Sequence, residues 1–171
     1  ISGASGTGGT FKVGNTVTAT WNNTVATGDN NADITSATVN FSQFGGGSAV
    51  AATNSSGTWT ATYTIVAGSI DGTGKNVSLS ATDNAGNVTT TSDTTNASVD
   101  NQLPVVTDAK LSISGAGGTG GTFKVGNTVT ASWNNTVATG DNNGDITSAT
   151  VNFSQFGGGS AVAATNSSGT W

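Results

Sequence analysis

The sequence predicts an all-β chain of tandem antiparallel sandwiches, and three observations carry that reading. Ile113 to Trp171 repeats Ile1 to Trp59 at a fixed offset of 112 positions, with three differences: Ser5/Gly117, Thr20/Ser132 and Ala32/Gly144. Short runs alternate apolar residues with threonine, serine or asparagine, the period of a half-buried strand. Gly, Asn and Asp turn signals separate the runs, and no helical periodicity interrupts them. A period of 112 is too long for a solenoid rung that leans on its neighbours, and it suits a module that buries its own core.

The strands can be taken in order. In Thr16 to Trp21, Val17, Ala19 and Trp21 share one parity and three threonines share the other. Thr35 to Phe41 places Ala37, Val39 and Phe41 inward, and Trp59 to Ile65 does the same with Trp59, Ala61, Tyr63 and Ile65. Val77, Leu79 and Ala81 mark a further strand. β-Branched threonine suits the outer, pleated face and keeps a weakly charged chain in solution. The turns between them are Val13-Gly14-Asn15-Thr16, Gly28-Asp29-Asn30, Gly45-Gly46-Gly47, Asn54-Ser55-Ser56-Gly57, Asp71-Gly72 and Asp83-Asn84-Ala85-Gly86-Asn87. About seven strands per repeat of 112 residues correspond to immunoglobulin-like sandwiches with Greek-key connections. A β-helix would need a much shorter internal period, and none occurs within Ile1 to Gln102.

The lone proline, Pro104, follows Asp100-Asn101-Gln102-Leu103 and marks a stiff junction. The expected domains are therefore residues 1–103 and residues 104–171. The first strand of the second copy is expected over Val105 to Ser114, so its counterpart in the first copy would precede Ile1. Residues 1–103 are then a repeat without its first strand, and 104–171 are the N-terminal part of another. The latter lacks equivalents of Thr60 to Asp100 and needs a continuation or a neighbouring chain to cover its open edge. Trp21, Trp59, Phe41 and Tyr63 are read as core rather than as a sugar-stacking platform, because their parity points inward. Phe44, beside the glycine run, is expected to be the exposed exception.

Composition narrows the function classes. Charged residues make up 8% of the chain, the net charge is −5, and there is no Cys, His or Met. The acidic residues are nine Asp, and the basic ones are Lys12, Lys75, Lys110 and Lys124. Four scattered lysines form no basic stripe, which argues against nucleic acid as a partner. No apolar run reaches bilayer length, so no direct membrane insertion is expected from these residues. Disulfides cannot staple the fold. With no His or Cys there is no evident base for a hydroxyl nucleophile, and each Asp falls in a turn or loop without apolar surroundings, so the chain is not read as an enzyme.

The one constellation with plausible chemistry is acidic. Asp29, Asn31 and Asp33 place oxygens at alternate positions, and Asp141, Asn143 and Asp145 repeat them. Alternate oxygens on a curved loop can converge on calcium, although Ile34 and Ile146 stand where the calcium-loop pattern has Gly, and its terminal Glu is missing. The competing reading is a polar turn in which Asp and Asn cap their own backbone. A second candidate is the junction, where Asp100 and Asn101 could share an ion with other loop carboxylates; the alternative there is a plain Asx-Pro linker.

The segments Thr58-Trp59-Thr60-Ala61-Thr62-Tyr63, Val77 to Asn87 with its Ala-Thr-Asp-Asn-Ala-Gly-Asn hairpin, and Val99-Asp100-Asn101-Gln102-Leu103-Pro104 resemble bacterial immunoglobulin-like tandem repeats of giant secreted surface adhesins. The resemblance covers essentially all of both copies. It implies a cell-surface, extracellular stalk exported by type I secretion, with calcium at loops and joints and neighbouring repeats of the same chain as partners. The absence of Glu departs from that pattern. Two roles follow as expectations. One is a stalk that projects an adhesive tip and is stiffened by calcium; the other is a filament or surface-lattice subunit, completed by strand complementation with other copies of the same chain.

Overall fold

A computed structural model describes all residues, 1–171, and the chain divides into two units, Ile1–Leu103 and Pro104–Trp171. Both are all-β, built of several mostly antiparallel sheets with only short 3-10 turns besides.

In unit 1 the strands are β1 (Phe11–Lys12), β2 (Thr16–Asn22), β3 (Ile34–Asn40), β4 (Val50–Ala51), β5 (Thr53–Ser55), β6 (Thr58–Thr64), β7 (Asp71–Lys75), β8 (Ser78–Asp83), β9 (Val88–Ser92) and β10 (Ala97–Asp100). They form three sheets with orders β2-β6-β5, β4-β3-β8-β9 and β1-β10-β7, antiparallel apart from the parallel β1–β10 pair. Alternation sets the register. Val17 faces Tyr63, Ala19 faces Ala61 and Trp21 faces Trp59, so one parity of β2 and β6 turns inward together. A one-residue slip would send that whole set into water. On the outer face Thr16 and Thr64 meet through their hydroxyls at 3.2 Å. The core draws on all three sheets, with Phe11, Val17, Val39, Phe41, Phe44 and Val99 among its buried members. Leu79 and Ala81 point the same way, yet they are only half-buried, since they border a cavity of about 460 Å³.

Phe44 corrects the sequence expectation, for it is fully buried (0% exposed). The chain leaves β3 through a 3-10 turn, Ser42–Phe44, which ends on Gly45 at φ 87°, and this swings the ring inward onto Phe11, edge to face at 5.5 Å. Gly46 is required too, because a Cβ there would lie 2.8 Å from Phe41 Cβ and 2.8 Å from the Tyr63 ring. The Tyr63 hydroxyl donates to the Gly45 carbonyl at 2.9 Å and closes the turn. The glycine run is a close-packed corner rather than a loose loop.

In unit 2 the strands are β11 (Leu111–Ser114), β12 (Thr130–Trp133), β13 (Thr150–Val151) and β14 (Val162–Ala163), paired β11–β12 and β13–β14. The expected strand over Val105 to Ser114 is thus shorter than its sequence predicts. A 3-10 turn at Asp108–Lys110 breaks it, and Val105 to Thr107 are held by side chains rather than by a ladder.

The two units present nearly the same sequence in two settings. The seven-residue strand β2 has a four-residue counterpart in β12, and the seven-residue β3 has only the two-residue β13. Phe44 is buried, whereas its counterpart Phe156 is 46% exposed, and Trp133 is the sole buried apolar residue of unit 2. The difference has a direct physical cause. In unit 1, β3 pairs along its length with β8, and β1 pairs with β10. Nothing within 104–171 plays those parts, so the inner face of unit 2 borders an apolar hollow of about 700 Å³ lined by Leu111, Ile113, Ala131, Val151 and Trp171 among others.

Candidate functional site

The Asp-Asn loop is built by two asparagines, Asn22 at the end of β2 and Asn23 just after it. Asn22 Oδ1 accepts from the backbone N–H and hydroxyl of Thr24, at 3.0 and 2.8 Å, and turns the chain sharply. Gly28 packs against that turn so closely that a Cβ would sit 2.4 Å from Thr24 N. Asn23, largely buried, clamps the far side: its Nδ2 donates to the Asn31 carbonyl at 2.8 Å, and its Oδ1 accepts the Asn31 N–H at 2.7 Å. Asp29 then lies under Trp21, whose indole N–H donates to Asp29 Oδ2 at 2.7 Å. Unit 2 repeats each contact, with Asn134, Asn135, Gly140, Asp141, Asn143 and Trp133 in the matching places.

Unit 2 shows what the loop's remaining acceptors do. Thr107 donates twice to Asp141, from its backbone N–H to Oδ2 at 3.0 Å and from its hydroxyl to Oδ1 at 2.6 Å. Asn143 imitates a strand neighbour: its Oδ1 accepts the Val105 N–H at 2.7 Å and its Nδ2 donates to the Val105 carbonyl at 2.8 Å. Burial pushes the Asp141 carboxyl up. The donors Thr107 and Trp133 and the charge of Lys110 outweigh that and hold it below the usual carboxylate range. The carboxylate therefore stays ionised, as an anchor for an extended segment.

In unit 2 most of the loop's oxygens serve the protein itself. Both oxygens of Asp141 and the side-chain oxygen of Asn143 already face N–H and O–H donors, and Asp29 faces an indole N–H. The Asn31 side chain donates to Asn23 Oδ1. Asp33 borders the unit 1 cavity, and Asp145 lies at the far end of the matching loop with no hydrogen bond of its side chain to the protein. No three acidic side chains come together anywhere in the chain. Asp29 and Asp141 each accept the indole N–H of a tryptophan at 2.7 Å.

The junction residues divide. Asp100 ends β10 and accepts the Gln102 N–H at 3.1 Å, an Asx turn leading out of the unit. Asn101 is 2% exposed and fully employed: its Oδ1 accepts the Ile70 N–H at 2.8 Å, and its Nδ2 donates to the Val66 carbonyl at 3.0 Å. Its backbone adds two more bonds, to Ile70 and Gly68. Gly68 leaves no room for a side chain, because a Cβ would lie 2.8 Å from Asn101 Nδ2. Asn101 is a buried clamp on the loop before β7. Sequence parity could not reveal it, since its partners lie about thirty residues away.

The hairpin between β8 and β9 is held by Asp83. Its Oδ1 accepts the Ala85 and Asn87 N–H groups at 2.9 and 2.8 Å, and its Oδ2 accepts from Asn87 Nδ2 at 2.8 Å. The side-chain and backbone bonds from Asn87 hold the Asp83 carboxyl below its ordinary value. A lowered folded pKa contributes stability that is present above the unfolded value, near 3.9, and lost as pH falls through the folded value. The melting temperature of Asp83→Asn is therefore expected below that of the parent at pH 7, with the gap closing as acid protonates the folded-state carboxyl. A gap that stayed constant to acid pH would contradict this role.

Comparison with family models, with curated proteins and with solved structures finds no match to this chain.

Proposed function

We propose that the chain is a stretch of a tandem array of immunoglobulin-like repeats that acts as a spacer in a bacterial surface adhesin, projecting an adhesive end away from the cell. The observation that carries the reading is the 112-residue repeat itself, joined to a unit that buries an aromatic core within residues 1–103. Near-identical copies multiply length without adding a new reactive site. The sheet orders support the immunoglobulin-like form. β2, β6 and β5 correspond to the B, E and D strands of that fold, and β4-β3-β8-β9 to a sheet built around C, F and G. The Ser2–Thr18 bridge puts an A-type segment beside β2. A structural rather than catalytic role is supported by a chain with neither His nor Cys.

The test is length. Chains carrying one, two and four whole repeats should grow in maximum dimension by a constant increment per repeat in small-angle scattering. A maximum dimension that stopped growing would overturn the spacer reading. Because Asp141 and Asn143 accept from Val105, Thr107 and Trp133, calcium at about 1 mM is expected to leave both the dimension and the melting temperature unchanged relative to chelator. A calcium-dependent rise of several degrees would restore the ion.

A further inference from the structure

The two copies of the Asp-Asn loop differ at one position: Ala32 in the first stands where the second has Gly144. Packing does not account for that glycine. A Cβ at 144 would meet nothing within 4 Å, and the backbone there lies outside the left-handed region that favours glycine. The difference is chemical, because it makes Asn143-Gly144 the one Asn-Gly pair in the chain. With no Cβ beside it, the Gly144 nitrogen can approach the carbon of the preceding side-chain amide, and the two reacting atoms are already neighbours along the chain. Gly144 is exposed, so water and hydroxide reach it. The fold opposes the reaction. Asn143 Oδ1 accepts the Val105 N–H at 2.7 Å, and its Nδ2 donates to the Val105 carbonyl and to Asn135 Oδ1, each at 2.8 Å. Held at both ends of its amide, the side chain cannot turn its carbon over the next nitrogen. Thr107 extends the hold through its two bonds to Asp141 in the same loop. All four bonds to Val105 and Thr107 are exposed, so this segment can lift without opening the core.

We propose that Asn143-Gly144 is a self-modifying site, a one-way latch on the Val105–Thr107 segment. While the segment is docked, Asn143 is protected. When it lifts, hydroxide takes the Gly144 amide proton and the nitrogen bonds to Asn143 Cγ. The Cγ–Nδ2 bond then breaks, and the side-chain nitrogen leaves as ammonia, protonated from water. A second water opens the resulting cyclic imide at either of its two carbonyls. One opening leaves an aspartate in the normal main chain, and the other leaves an isoaspartate, with the main chain routed through the side chain. The net change is one water consumed and one ammonia released, with no oxidant or reductant. Either product has a carboxylate where the Nδ2 donor was. An acceptor would then face the Val105 carbonyl and Asn135 Oδ1, so the clamp does not re-form. The inference uses the loop and not the spacer role, so its failure would leave that role standing.

The test is peptide mapping of the full chain, aged in neutral and in mildly alkaline buffer, by mass spectrometry that separates aspartate from isoaspartate. Asn143 is expected to convert to a mixture of the two, faster at the higher pH. Asn31, which precedes Ala32 in the same digest, should convert about tenfold more slowly or not at all, and Gly144→Ala should slow Asn143 by about as much. Thr107→Val removes the hydroxyl bond of 2.6 Å to Asp141, so it should speed conversion several-fold by populating the lifted state. In the converted chain, and in Asn143→Asp without ageing, the Val105 amide should lose its protection from hydrogen exchange. No conversion of Asn143, or equal conversion at Asn143 and Asn31, would overturn the site. An unchanged rate in Thr107→Val, or a protected Val105 amide after conversion, would overturn the latch. The unaltered chain unfolded in urea repeats the gating test without a variant: it should convert faster than the folded chain, and equal rates would overturn the latch as well.

Discussion

Phe44→Ala is expected to destabilise unit 1 by about 3–5 kcal/mol, whereas Phe156→Ala, the same substitution in the same local sequence, is expected to cost less than about 1 kcal/mol. Phe44 is enclosed by Phe11 and the core, and its removal leaves a void that the glycine corner cannot fill. Phe156 packs on Phe123 at 5.2 Å but remains 46% exposed, so water already reaches much of the ring. For a domain of this size the first substitution lowers the melting temperature by about 12 °C or more. Chemical denaturation followed through the NMR signals of Tyr63, the only tyrosine, reports on unit 1 alone. Equal costs at the two phenylalanines would show that burial differs less than the contacts imply.

Asn101→Ala carries the second large effect. It removes the side-chain partners of the Ile70 N–H and the Val66 carbonyl, and an orphaned buried group costs about 1–3 kcal/mol. No apolar contact is lost. Asn101→Asp is expected to be at least as damaging at pH 7. It keeps an acceptor for Ile70 but replaces the donor to Val66 with a buried charge. This outcome separates a clamp from a cation ligand. A ligand would tolerate the carboxylate and gain from added calcium, whereas a clamp loses stability with calcium and chelator alike. Thermal melts of the two variants in both conditions decide it.

Much of unit 1 was legible in the sequence because period-two alternation reports directly on burial. Val17, Ala19, Val39, Phe41, Trp59, Ala61 and Ile65 all face inward as their parity predicts. The chain divides between Leu103 and Pro104, where a lone proline after an Asx pair changes the local backbone rules. Phe44 was misread for a physical reason: its orientation is set by a 3-10 turn and by Gly45 in a left-handed conformation, neither of which alternation describes. The strand expected over Val105 to Ser114 failed in part because Asp108–Lys110 turns, and because side chains rather than a neighbouring strand supply the partners of Val105 and Thr107.

The loop oxygens illustrate another limit of spacing arguments. Their alternation in Asp29, Asn31 and Asp33 suited a cation, yet spacing along the chain says nothing about donors arriving from elsewhere. The indole of Trp21 comes from the strand before the loop, and Thr107 reaches Asp141 from 34 residues away. Asn23 and Asn135 were likewise invisible as clamps, because an asparagine in an Asn-rich chain carries no local signature. The repeat itself held the clue: one sequence in two settings separates what the local code specifies, the loop and its tryptophan, from what distant strands supply, the extended ladders and the core.

The central claim is that this shared sequence closes into a packed unit only where β8, β9 and β10 cover it. Residue-resolved amide hydrogen exchange by NMR compares residues 34–40 with residues 146–152, which are identical in sequence, within one sample. The amides of 34–40 are expected to exchange only through global unfolding of unit 1, on the order of 10³-fold or more slower than those of 146–152. Equal protection of the two segments would contradict the account.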